Sequence, residues 1–297
     1  MNDVFIIDKP AGKSSFWVVD KIKKFTGVSK VGHAGTLDPI ATGVLTVFTG
    51  EAVKASDIFM SGDKTYEVTA KLGERTDTLD AEGSVVERSD AAKHNITKEM
   101  IMDVLKKFTG EIRQTPPMYS ALKKDGKPLY EYARKGISVD REKRKIFIYD
   151  IDLLGFELPF LKLRVNCSKG TYIRALVDDI GVELGTFAHV TELRRTRSGA
   201  FDIKQAQQIG PDMKSISLED AVSMTLPVFD IELKLAEKLA KGYLFNPEEA
   251  GVESKVGVYA LQSRTKNGDK KIAALIKDGK VGRIFNYSEW SSACSTE

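Results

Sequence analysis

Hydrophobic and polar positions recur along this chain with two periods, and together they predict a mixed α+β fold. Val4–Ile7 is a short apolar run that reads as a strand. Ser14 or Ser15 can cap a helix whose Phe16, Val19, Ile22 and Phe25 lie on one face, with Gly27 near its end. Val44–Phe48 reads as a second strand. Tyr66, Val68, Ala70 and Leu72 then alternate with polar residues, the period of a sheet with one solvated face. Thr97–Phe108 has helical spacing, with Thr97 as cap, Ile101, Val104, Leu105 and Phe108 inward, and Gly110 beyond its end.

Further on, Ile146–Val165 reads as two strands around Gly155 and Pro159, Thr171–Leu184 as a helix and Val190–Arg195 as a strand. Between Ser120 and Lys145 periodicity weakens and charge rises, with nine Lys or Arg against four Asp or Glu and Tyr130 and Tyr132 interleaved. This predicts an exposed, basic, partly helical excursion. From about Leu226 the texture changes to a Lys-rich helix and short alternating runs such as Val256–Leu261 and Lys271–Ile276. The expected organisation is a large domain over 1–225 and a small strand-rich domain over 226–297. A tail of Ser, Ala and Thr is expected to fray.

Composition narrows the function classes more than it selects one. At 297 residues and 42% hydrophobic, the chain can bury a large core. Its 45 Lys plus Arg nearly balance 42 Asp plus Glu, so any polyanion site must come from local clustering. Cys167 and Cys294, without an apolar leader, predict no disulfide framework and a reduced cytoplasm. No run approaches the roughly 20 apolar residues of a membrane span. His33, His94 and His189 with two distant cysteines offer no close-spaced zinc pair, so no metal is expected.

The densest chemistry lies in GHAGTLDPIATGVL, residues 32–45. An Asp followed by Pro is ordinarily a turn, because the Asp side chain bonds nearby backbone and Pro fixes the next φ. Here Gly32, Gly35 and Gly43 would also let backbone approach a ligand, while His33 and Thr36 add polar groups. Turn and catalytic carboxylate both remain open on residue chemistry alone. Other readings fail: Gly12-Lys13-Ser14 ends like a phosphate loop, but the required first glycine falls at Ile7. A serine hydrolase would need G-x-S-x-G, which is absent.

The segment resembles the catalytic motif of the TruB family of tRNA pseudouridine synthases. The resemblance extends, in order, through KPAGKSS (9–15), KTYEVTAKLGERTDTLDAEG (64–83), PPMYSALKKDGKPLYEYARKG (116–136), CSKGTYIRALVDDIG (167–181) and LRRTRSG (193–199). It implies the pseudouridine synthase fold, a large mixed, mostly antiparallel sheet flanked by helices, followed by a small PUA-like β-rich lobe. It also implies isomerisation of a T-loop uridine at tRNA position 55, without cofactor, guide RNA or membrane, by a cytoplasmic monomer.

Residue by residue, the resemblance makes Asp38 the catalytic carboxylate, either attacking C1′ or taking the 2′ proton. Arg174 becomes its ion-pair partner and Tyr66 the stacking surface for a flipped uridine. Tyr172 is expected to touch substrate beside an apolar wall at Leu193, and His33 to occupy the place the flipped nucleotide vacates. RNA backbone contacts are expected from Lys123, Lys124, Lys127 and Arg134 in the basic excursion, and from Lys169, Arg194, Arg195 and Arg197. Lys54 and Asp80 also match family positions, but surface and turn roles explain them nearly as well. Two competing readings are a tRNA-binding protein without chemistry and a guide-dependent synthase. The carboxy-terminal 70 or so residues look too short and too weakly basic for the latter.

Overall fold

A computed structural model describes residues 2–245, 247–250, 257–287 and 290. Cys294 and the Ser-, Ala- and Thr-containing tail lie outside the described residues. Among those described, no helix is long and apolar enough to cross a membrane.

The centre is a ten-stranded sheet. Across it run Ile216–Ser217, Asp3–Lys9, Thr42–Thr49, Ala188–Ser198, Lys64–Leu72, Phe160–Cys167, Arg144–Glu157 and Gly110–Gln114. All of these neighbours pair antiparallel except Thr42–Thr49 with Ala188–Ser198, which meet in parallel at Arg194↔Thr42 and Arg195↔Gly43. The expected α+β sheet is therefore present.

The alternation at Tyr66–Leu72 does what a period of two should. Tyr66, Val68, Ala70 and Leu72 are buried on one face, and Thr65, Glu67, Thr69 and Lys71 lie half-buried on the other. The buried face packs with Leu163, Val165, Leu193, Leu176 and Ile180 into one core. The helix Lys98–Lys107 adds Ile101, Val104 and Leu105, capped by Thr97 as expected.

The first helix, Ser15–Thr26, departs from the expected face. Ser14 caps it, but Val18 and Ile22 are the apolar side chains it buries, while Phe16 and Phe25 are exposed. Positions 18 and 22 are four apart, whereas Phe16 sits on the side that turns away from the sheet.

The carboxy-terminal residues form a four-stranded sheet from Val228–Asp230, Val258–Arg264, Lys270–Lys277 and Lys280–Ile284, with the helix Leu233–Ala240 against it. This lobe does not hang from a linker. Its Ala260, Ile272, Phe285 and Trp290 share a core with Val4, Ile6, Phe48 and Phe59 of the large sheet. Lys54 reinforces the seam by donating to the Ile284 carbonyl at 3.0 Å.

Candidate active site

Asp38 lies on the connection between the antiparallel strands Val31–Ala34 and Thr42–Thr49. The amino-terminal KPAGKSS segment holds that connection from beneath. The Ser15 hydroxyl accepts from Leu37 N at 2.8 Å and donates to Leu37 O at 3.1 Å. Gly12 N donates to Pro39 O at 2.8 Å, and the Lys9 ammonium reaches the same carbonyl at 3.2 Å. On the other side Gly43, at φ +104°, lets the Arg195 backbone approach so closely that a Cβ would sit 2.2 Å from its carbonyl oxygen. Residue 38 is thus fixed through its neighbours, which leaves its carboxylate for a partner outside the loop.

Arg174 comes from the helix Ile173–Glu183, entered through Tyr172. The buried Gln114 amide grips Tyr172 by accepting from its N–H at 2.9 Å and donating to its carbonyl at 3.0 Å. One turn of helix therefore starts from a fixed point. The Arg174 guanidinium donates twice to Asp38, Nε to Oδ2 at 2.9 Å and Nη2 to Oδ1 at 3.1 Å. Its remaining donors meet Thr78 O and Tyr119 O, each at 2.7 Å. Asp80 stands 3.5 Å from Nη1.

This is the planar fork that only arginine offers, and it fixes both carboxylate oxygens of Asp38 in one plane. Arg174 is 3% exposed and Asp38 34% exposed, so the pair is anchored by its cation and presented by its anion. Thr78 Oγ1 in turn donates to Asp80 Oδ1 at 2.6 Å, and Glu82 N donates to the same oxygen at 3.1 Å. Burial, with Asp80 and Asp38 nearby, pushes the Glu82 carboxyl up.

The pair opens on a cleft of about 590 Å³ that gathers Asp38, Tyr66, Tyr172, Arg174, Leu193 and Lys169 on one surface. Tyr66 is buried in its floor; burial raises its phenol above the usual range, so the hydroxyl is protonated at neutral pH. Leu193 is buried beside it, paired across the sheet with Val68. Ser120, Ala121 and Leu122 bring the root of the basic excursion to the same cleft. Beyond them lie a short hairpin, Lys123–Lys124 with Lys127–Pro128, and the helix Leu129–Ala133. Lys124 donates to Asp140 O at 2.7 Å, and Arg134 stacks 5.3 Å over the Tyr130 ring.

One expected RNA contact needs revision. Arg195 is 1% exposed, with Nε donating to Val44 O at 2.8 Å and Nη2 to Gly35 O at 3.1 Å. It braces the Asp38 loop and lines the cleft from within, so it cannot serve as a surface phosphate contact. Arg194 points to the other side of its strand, where Asp8 already meets it at 2.7 and 3.1 Å. His33 is not among the residues lining the cleft. It sits in a strand opposite Val47, with a buried Nδ1 that has no partner among the described residues. Burial lowers its pKa and keeps the ring neutral.

Two buried charged side chains, Lys9 and Lys64, carry no signal in the sequence, and a third, Asp80, matches a family position without a role marked by its type. Lys9 donates to the carbonyls of Pro10, Lys13 and Pro39, and burial lowers its pKa to about 8. Lys64, lining the cleft, donates to the carbonyls of Met60 and Gly62 and is lowered by burial to about 8 as well. Asp80 is the third, set aside on sequence yet buried against Arg174.

A large, mostly antiparallel sheet with a carboxylate–guanidinium pair at the floor of its cleft is the architecture of the pseudouridine synthases. Among solved structures, a Cbf5–Nop10–Gar1 complex contains a chain similar to this one, with TM-score 0.73 and 26% identity over 97% of this chain and 86% of that one. Within that class, the chain belongs to the TruB family. The family model described as TruB family pseudouridylate synthase (N terminal domain) matches residues 23–173, and the tRNA pseudouridylate synthase B C-terminal domain matches residues 174–221. The tRNA pseudouridine synthase B of Mannheimia succiniciproducens is 46% identical over 257 residues, 82% of each chain. That of Haemophilus influenzae is 51% identical over 209 residues, 70% of this chain and 66% of its own.

Proposed function

We propose that this chain converts a uridine of tRNA into pseudouridine, with Asp38 as the reacting carboxylate. The observation that carries the reading is the two-pronged Asp38–Arg174 pair, held rigid from behind and open to the cleft that Tyr66 floors. The reaction breaks N1–C1′, turns the base and joins C5 to C1′; C5 gives up its proton and N1 gains one, so nothing is oxidised or hydrolysed. Asp38 suits either attack on C1′ or removal of the 2′ proton. A carboxylate gripped at both oxygens by a buried guanidinium keeps its orientation when a base closes over it, which either route requires.

Extruding a uridine costs a few kcal/mol of stacking, offset by a shaped pocket with an aromatic face. On this reading Tyr66 supplies that face, Leu193 the wall and Tyr172 a further contact. Lys169 and the basic excursion, with Lys123, Lys124, Lys127 and Arg134, hold the RNA backbone. The substrate position we favour is the T-loop uridine at position 55, bound through the T arm without a guide RNA by a cytoplasmic monomer. Mapping pseudouridine in an unmodified tRNA transcript treated with the pure chain tests this. Modification at that one uridine supports it, and modification elsewhere or none would overturn it.

A further inference from the structure

The helix Ser15–Thr26 offers an aromatic surface that the cleft does not use. Phe16 is 76% exposed. Beside it, Trp17 is half-buried, with the Lys13 ammonium 5.6 Å and the Lys21 ammonium 5.3 Å from its ring centroid. A groove of about 580 Å³ runs alongside, with Trp17, Lys21, Pro10, Thr42 and Ile209 in its walls. One exposed phenylalanine is ordinary on a folded protein. Trp17, which packs one side on the core, adds an indole edged by two ammonium groups at the groove, one position along the helix from the exposed Phe16 ring, so this face combines π-surface for a base with charge for a phosphate.

The local charge has the right sign, because Asp8 in the groove wall is met by Arg194. Residues 9–30 contain Lys9, Lys13, Lys21, Lys23, Lys24 and Lys30 but only Asp20 as an acid. Lys24 is met by Asp20 and Lys30 by Glu51. Among the described residues, Lys13, Lys21 and Lys23 have no carboxylate within ion-pair distance. The surface is also joined to the active-site loop: Gly12 holds Pro39, and Thr42 of the groove wall belongs to the strand that follows Asp38.

We infer that Phe16 and Trp17, with Lys13 and Lys21, form a second RNA-binding surface that stacks an unpaired nucleotide of the same tRNA outside the uridine cleft. The inference rests on the reading that the chain acts on tRNA. It adds a contact that raises affinity without touching the reacting atoms, so substrate binding should depend on it and the chemical step should not.

The test uses the full chain and an unmodified tRNA transcript. The chain has two tryptophans, and Trp290 is buried in the core. Adding tRNA should therefore quench Trp17 emission, and Trp17→Phe should abolish that quench. Phe16→Ala and Lys21→Glu, each checked for an unchanged melting midpoint, should weaken tRNA binding and raise KM about tenfold, as loss of one stacked base does, with kcat unchanged. Wild-type quench and KM values retained in the variants would overturn the inference, as would a surface that answers only to a protein partner. If the wild type converts no uridine at all, the functional reading fails instead, and direct binding still reports on this surface.

Discussion

Arg174 donates to both oxygens of Asp38, and it does so while its other donors are taken by the carbonyls of Thr78 and Tyr119. The carboxylate is therefore oriented by a group that cannot turn. Lysine, a point charge on a flexible stem, keeps the charge but loses the fork and leaves two part-buried carbonyls short of a donor. Arg174→Lys is expected to lower kcat by roughly a hundredfold and stability by about 1–3 kcal/mol. Turnover and urea unfolding measured on one preparation would check this, and a variant within twofold of wild type in kcat would contradict it.

Asp80 acts one step further back. It is buried, 3.5 Å from Arg174 and fixed by Thr78 and Glu82. Asp80→Asn keeps the shape and removes the charge, leaving Asp38 to meet Arg174 as the remaining carboxylate among the described residues. The expected result is a fall in kcat of about tenfold, the size of one altered charge-assisted contact. RNA affinity should stay at the wild-type value, so a rise in Kd with kcat unchanged would show the role to be wrong.

Lys64 gives a pH dependence of stability. Its pKa falls from 10.5 unfolded to about 8 folded, because burial disfavours the ammonium. Between those values the unfolded chain binds more protons at this site, so the contribution to stability rises with pH. It is complete above 10.5 and lost as pH falls through 8. A neutral amine still donates to both Met60 O and Gly62 O. Urea midpoints taken across the window from about 8 to 10.5 should rise for wild type relative to Lys64→Met; parallel curves would refute the assignment.

Gly43 tests the loop's support from the sheet side. Its φ is +104°, and a Cβ at this position would lie 2.2 Å from the Arg195 carbonyl oxygen, which leaves no room for a side chain. Gly43→Ala is expected to cost about 3 kcal/mol, combining backbone strain with a steric shift. Thermal melting would read this directly, with an unchanged midpoint as the contrary result.

The strands around Tyr66 were legible because a sheet with one buried face writes its period into the sequence. The same rule could have placed Arg195, since Leu193 and Arg195 are two apart and share the cleft side, leaving Arg194 to the other. Asp38 and Arg174 are 136 positions apart, so only the ordered resemblance could join them. Lys9 and Lys64 are not legible because each is satisfied by groups that only folding brings within reach, and isolated lysines ordinarily read as surface; Asp80 matches a family position, but its burial against Arg174 shows only in the fold. The face of the first helix differs from its pattern for a related reason: aromatic residues favour burial on average, yet Phe16 is exposed among the described residues.

The central claim is that Asp38 is the reacting carboxylate of a uridine isomerase. Release of the C5 hydrogen from T-arm RNA labelled at uridine C5 tests it most directly, comparing wild type with Asp38→Asn at matched RNA binding. Stoichiometric release by the wild type, with a fall of at least about 10⁴-fold in the variant, is the expected result. Release by Asp38→Asn at a rate near wild type would contradict it.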